Sequence, residues 1–204
     1  MEWKHPDWLM LDGLVGFQAF TQHNVNNPGT GTTPFIPNYK TFRYSGFIVE
    51  SLKRNKNTYE AGIRLDYELN QVAGRQTNQE IFDDEYSFSN LTSSVGYVRE
   101  ISENTSFRTN IGTAWRTPNM SELYSFGQHG FKTSYGLLRY YTNDEGQLRT
   151  NRVNKIEDSP VQPEKGYKFI NEFQTNKNKN THTVTVYSHY IENYVFLRPL
   201  GVFG

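Results

Sequence analysis

The residues best suited to chemistry in this chain follow Pro118. In Gly127-Gln128-His129-Gly130 a histidine stands between glycines, which let backbone approach a bound molecule closely. A neutral imidazole is a good metal ligand. Around it lie Tyr124, Phe126, Phe131, Tyr135, Tyr140 and Tyr141, whose rings suit stacking on a flat or greasy ligand, or packing of the segment onto itself. Asp83-Asp84-Glu85 offers oxygen ligands, but without the spacing of an EF-hand it reads as a solvated loop tip. Asp66 and Glu68 beside Arg64 suit cross-strand ion pairs better than acid/base work. Gly-x-Ser-x-Gly, P-loop and His-Glu-x-x-His patterns are absent, and Ser94 with His189 gives no hydrolase geometry. The expectation is a binding surface: no enzyme, no catalytic residue, no metal site and no cofactor.

The elements that must carry these residues are strands. The dominant period is two. In 58-TYEAGIRLDYELN-70, Tyr59, Ala61, Ile63, Leu65, Tyr67 and Leu69 form one face, and Glu60, Arg64, Asp66, Glu68 and Asn70 the other. In 105-TSFRTNIGTAWR-116, Phe107, Ile111 and Trp115 oppose Arg108, Asn110 and Arg116. Similar alternation gives about seven strands, near 9–22, 39–53, 58–71, 86–100, 105–116, 166–175 and 181–195. No 3.6-residue stripe persists, so no helix is expected. Long connections (23–38, 72–85, 117–164) alternate with tight polar turns. An up-and-down antiparallel sheet then has its long loops at one end and its tight turns at the other. That asymmetry, with strands of about 9–11 residues, marks a transmembrane β-barrel. A soluble sandwich or lipocalin-like barrel shows the same alternation with the greasy face turned inward.

Composition narrows the partners. Lys+Arg and Asp+Glu are both 21, so the net charge is zero, which argues against nucleic acid as a partner. Cysteine is absent, which excludes disulfide scaffolds and thiol chemistry. The 15% aromatic content fits a barrel whose rings sit at the membrane–water boundary. The start, MEWKHPDWLML, has none of the parts of a signal peptide. Seven strands would leave two bare edges in lipid, so a run of hairpins from a larger barrel is expected.

The stretch 115-WRTPNMSELYSFGQHG-130, followed by 160-PVQPEKGYKFINEF-173, resembles the TonB-dependent outer-membrane receptors. That family typically shows aromatic-Arg-Ala-Pro-Asn with Glu-Leu-Tyr beyond it, then Asn-Pro and Lys-Pro-Glu-Lys opening the next strand. Here Thr117 replaces alanine, Ser159 replaces asparagine and Gln162 replaces lysine, while Arg116, Pro118, Asn119, Glu122, Leu123, Tyr124, Pro163, Glu164 and Lys165 match. The likeness extends from about Phe35 to Pro199. It implies a barrel of about 22 strands, of which residues 1–204 are a partial, middle section without signal peptide, TonB box, plug or last strands. It also implies outer-membrane lipid, a plug domain, the TonB complex and a small-molecule ligand as partners. Uptake of a scarce nutrient, an iron chelate or haem, would be the work of the whole protein and not of this section alone. The matching residues are expected to fix the root of the loop. His129, Tyr124, Phe126 and Arg116 are the candidate ligand contacts, with Arg116 on the lumen side facing Glu122 or plug carboxylates. A small self-standing outer-membrane barrel (adhesin or membrane enzyme) and a soluble all-β binding module are the competing readings.

Overall fold

The computed structural model describes residues 1–8, 11–27, 29, 33–76, 78–129 and 132–199, and their side chains except at 6–8, 129 and 132. Six strands come first: β1 (Glu2–Trp8), β2 (Leu11–Asn24), β3 (Asn38–Arg54), β4 (Asn57–Arg75), β5 (Ile81–Ser102) and β6 (Thr105–Arg116). A folded insertion follows, with helix α1 (Met120–Tyr124), hairpin β7 (Phe126–His129) and β8 (Lys132–Tyr135), hairpin β9 (Tyr141–Thr142) and β10 (Leu148–Arg149), and a 3-10 turn at Ile156–Asp158. Strands β11 (Glu164–Lys177) and β12 (Asn180–Glu192) complete the wall. The eight wall strands form one antiparallel sheet in the order β1-β2-β3-β4-β5-β6-β11-β12. Tight turns close it at one end. Asn178 and Lys179 both take positive φ (48° and 69°), as a two-residue turn between twisted strands requires.

The sheet is inside out for a soluble protein. On β4, Ile63 and Leu65 are 52% and 61% exposed, while their neighbours Asp66 and Asn70 are only 5% and 1% exposed. The exposed apolar row continues across the register through Tyr44, Ile48, Leu91, Val95, Ile111 and Phe169. Burying one such side chain is worth about 1.5–3 kcal/mol, gained here only when hydrocarbon covers it. Aromatic pairs border this belt: Tyr59 with Tyr97 (ring centroids 5.3 Å) toward the tight turns, and Phe17 stacked on Tyr44 (6.4 Å) toward the long connections. A soluble module would bury Tyr59, Ile63 and Leu65; their exposure excludes it. The architecture is part of a transmembrane β-barrel wall.

Four features depart from the sequence reading. The wall has eight strands, because residues 2–8 pair with β2 although Pro6 and mixed polarity hide their period. The first predicted strand, 9–22, begins at Leu11 and runs to Asn24. The supposed loop 72–85 is mostly strand: β4 continues to Arg75 and β5 starts at Ile81. There the sheet rises beyond the apolar belt, so its outer face carries Gln71, Asp83 and Glu85, and polarity on that face mimics a loop. Finally, 117–164 is a packed unit containing a helix. Asn119 caps α1 through a reciprocal capping box with Glu122, a local signal that needs no 3.6-residue period.

Candidate functional site

The polar inner face of the wall is the first half of the site. Asp66 accepts hydrogen bonds from Ser45 Oγ (2.6 Å), Arg64 Nε (2.9 Å) and Trp115 Nε1 (3.0 Å). Glu68 pairs with Arg43 and accepts from Asn70 Nδ2 at 3.0 Å; Asn70 Oδ1 in turn accepts from Thr41 Oγ1 at 2.7 Å. Gln18 Oε1 receives Arg64 Nη2 at 3.0 Å, so the net spans β2, β3, β4 and β6. Buried carboxylates persist in such a wall because each is fully bonded. Trp115, which alternation groups with Phe107 and Ile111, joins this inner net. The reason lies two residues earlier. The β5–β6 ladder ends at Ser94–Gly112, and Thr113 Oγ1 then takes the place of backbone, meeting Ser93 N at 2.9 Å and Ser93 O at 3.4 Å. Beyond Thr113, β6 pairs only with β11, and the Trp115 side chain reaches Asp66 on the inner face.

The residues of the two sequence motifs meet at the top of β6. Arg116 Nη1 donates to Glu122 (2.8 and 3.0 Å), and Arg116 Nε and Nη2 form a fork on Glu164 (3.0 and 2.7 Å). Glu122 Oε2 also accepts from the Asn119 N–H at 2.8 Å, closing the α1 cap. Glu164 Oε1 accepts a further bond, from Val195 N at 2.7 Å, where the chain turns away after β12. Asn193 Nδ2 meets Pro163 O at 3.2 Å beside it. One ion cluster therefore ties the exit of β6, the start of α1, the entry of β11 and the exit of β12. Pro118 is buried and ends the strand without an N–H to leave unpaired. Arg116 faces Glu122, and Lys165, opposite Trp115 in the ladder, is exposed.

The insertion 117–163 forms a cap with its own core. Met120, Leu123, Tyr124 and Leu138 pack against Val72, Phe82 and Tyr86 from the inner faces of β4 and β5. Gly136 lies against the Leu123 backbone, where an added Cβ would come within 2.4 Å of its carbonyl. Asp84 Oδ2 holds the cap down, accepting from Tyr124 OH at 2.9 Å and Ile156 N at 3.1 Å. Arg139, 2% exposed, donates to Tyr124 O (3.0 Å) and Arg75 O (2.9 Å) and lies over the Phe82 and Phe126 rings. Burial lowers its pKa to about 10, so the guanidinium stays charged at neutral pH and is held by carbonyls and rings. Burial also pushes the Tyr124 hydroxyl well up, which keeps it a donor to Asp84.

The candidate ligand contacts are distributed unevenly over this arrangement. Tyr124 has 0% exposure, so its ring is core and not ligand surface. Arg116 is half-exposed but already bonded to two glutamates. Phe126 is half-buried, 5.6 Å from Tyr135, and its backbone N–H bonds Phe35 O of the 23–38 connection at 3.1 Å. Phe35 also fills the space beside Gly127. The His129 side chain and Phe131 lie outside the described residues. Asp84 is a cap anchor instead of part of a solvated tip. Among the described residues, no three His, Asp or Glu side chains gather as a metal site. Sequence reasoning missed Arg139 and the Asp84 anchor. Nothing local marks a loop arginine as buried, and the acidic run concealed an alternating strand.

Comparison with known proteins agrees with this wall. Residues 3–204 match the family model described as TonB dependent receptor-like, beta-barrel. A solved structure, the copper transporter OprC, superimposes with a TM-score of 0.64 at 16% identity, over 92% of this chain and 29% of its own. The chain thus spans under a third of that protein's length, and the likeness is one of fold. No curated protein matches the sequence. The motif cluster, the inverted wall and the family match converge: this chain belongs to the TonB-dependent receptor-like β-barrel family.

Proposed function

We propose that residues 1–204 are wall and cap of an outer-membrane receptor that imports a scarce nutrient, powered through a plug and the TonB complex. The carrying observation is the inner face. Asp66, Glu68, Asn70, Ser45 and Thr41 form a closed, fully bonded polar net behind an apolar outer belt. Such a wall suits a hydrated lumen holding a polar plug. The cap, pinned by Asp84 and the Arg116 cluster, lies over that lumen on the long-connection side. There it would form part of a ligand vestibule with Phe126, Tyr135 and the 23–38 connection. A receptor needs no catalytic group, and this reading assigns none.

For cargo we propose an iron chelate or haem, with His129 as the contact to test and Phe126 beside it as a stacking surface. Copper is what the similar fold of OprC carries by name; at 16% identity that name does not transfer. The test uses the full-length receptor in cells starved of the nutrient. Uptake should require both the receptor and the TonB complex. His129→Ala should weaken haem or iron-chelate binding about tenfold, roughly 1.4 kcal/mol. Energised uptake with unchanged affinity would remove His129 from the site and leave the receptor role standing. Growth and uptake indifferent to deletion of the receptor would remove the receptor role itself.

A further inference from the structure

The upper half of β5 is an open sheet edge in the middle of the wall. β1 and β12 are the end strands of the described sheet. β5 has β4 and β6 as neighbours, yet β6 leaves it at Ser94 while β5 continues up to Ile81. In an antiparallel ladder, alternate residues point both main-chain groups toward the same neighbour. Ser93 points toward β6, since its N and O both meet Thr113 Oγ1. Glu100, at even parity, bonds Lys56 O on the β4 side. Ile81, Asp83, Glu85, Ser87, Ser89 and Leu91 therefore point their N–H and C=O groups into the gap. Among the described residues, no backbone hydrogen bond reaches them. The side chains of Ile81, Asp83, Glu85 and Ser87 are exposed. This stretch rises beyond the aromatic border set by Tyr67, which pairs with Ser89. It contains no proline or lysine, two of the residues that commonly protect such an edge.

We propose that this edge binds an extended, cationic segment of a separate polypeptide by adding it as a strand. Main-chain hydrogen bonds would supply affinity, and alternate side chains selectivity. Charge selects the occupant. The outward row presents Asp83 and Glu85; the adjoining β4 row supplies Arg75, whose guanidinium donates to Gln79 O at 3.0 Å, and then the uncharged Ala73, Gln71 and Leu69, so acid is in excess along the edge. An incoming strand with Lys or Arg at alternate positions places opposite charges across the pair; a second copy of this edge would set acid against acid. The nine residues from Ile81 to Ser89 span roughly 27 Å of strand, room for an added segment of about eight residues.

The proposal takes from the receptor reading only that the long-connection end faces out of the cell, and its test does not involve transport. Full-length receptor in detergent micelles is titrated with a fluorescent eight-residue peptide alternating lysine and threonine. Saturable binding is expected. It should weaken about tenfold when the alternate amides on one edge of the peptide are N-methylated. Ser87→Pro removes one edge N–H while leaving the β4 ladder intact, and should weaken binding at least about fivefold. If Ser87→Pro loses the compact, heat-modifiable form, the Asp83→Lys/Glu85→Lys variant replaces it and should shift preference to a glutamate–threonine peptide. Absence of saturable binding, equal binding of the methylated peptide, or an unchanged preference in the double variant would each overturn the proposal.

Discussion

Replacing Glu164 isolates the ion cluster that roots the cap. In the native arrangement its carboxylate accepts two bonds from Arg116 and one from Val195 N. Bonds to charged groups contribute about 1.5–3 kcal/mol each when desolvated. The Arg116 side chain is 43% exposed, so its share is discounted for solvent screening to about 1 kcal/mol. Glu122 also keeps Arg116 partly bonded after the change. The Val195 bond meets a carboxylate only 10% exposed and retains about 1.5 kcal/mol. Glu164→Ala should therefore cost about 2–3 kcal/mol of local stability, and Glu164→Gln about half of that. Neither should unfold the barrel, whose ladders do not pass through this carboxylate. The assay is amide hydrogen exchange on the full-length receptor in lipid nanodiscs. Protection of Leu123, Ser125 and Val195 should fall about 30- to 150-fold in the alanine variant, with the β3–β4 ladder unchanged. The 193–197 segment should loosen together with α1, although the two are far apart in sequence. Loosening of one without the other, or a uniform loss across the sheet, would refute the shared clamp.

Two further outcomes test the wall. Asp66→Ala leaves Arg64, Ser45 and Trp115 without their common acceptor, which should destabilise the barrel by about 3–5 kcal/mol in urea unfolding from lipid vesicles. Leu65→Arg puts a charge on the outer belt and should cost about 2–4 kcal/mol in the same titration, whereas a gain in stability there would invert the assigned faces.

How far the sequence carries the fold depends on what lies on each side of a strand. Between Tyr59 and Leu69 one side meets hydrocarbon and the other a wet lumen, so polarity alternates and the strand can be read directly. Above Leu69 both environments are polar. The first half of β5 then resembles a loop, and Asp83-Asp84-Glu85 resembles an acidic tip. In fact Asp84 points inward to Tyr124 and Ile156, while Asp83 and Glu85 point out. Trp115 defeats the alternation because its strand leaves the ladder at Thr113, an event signalled only by a common residue type. Tyr124 shows the limit for sites. An aromatic residue in a glycine-punctuated segment reads equally well as ligand platform or as core, and only packing against Phe82 and Leu138 decides for core. Arg116, Glu122 and Glu164 were legible as residues that belong together through the family resemblance. Their actual bonding, with Val195 as a fourth partner, belongs to the fold.

The two motifs can be understood as halves of one device. Arg116 closes a strand, Glu122 caps the helix that follows, and Glu164 opens the next strand, with residues 123–163 lying between the second and the third. Because the ends of that insertion are clamped to a common guanidinium, its interior is free to differ in length and composition without moving the wall. The capping box serves the same purpose locally: Asn119 and Glu122 start α1 within one turn of the strand exit, so the chain bends inward toward the lumen and not outward toward lipid. The inward bend brings Leu123 and Tyr124 under the cap and opens the β5 edge above Ser94. The strand exit that leads into the cap is thus also where β5 loses its second neighbour, and a change that straightened β6 past Thr113 would close the edge and undock the cap together.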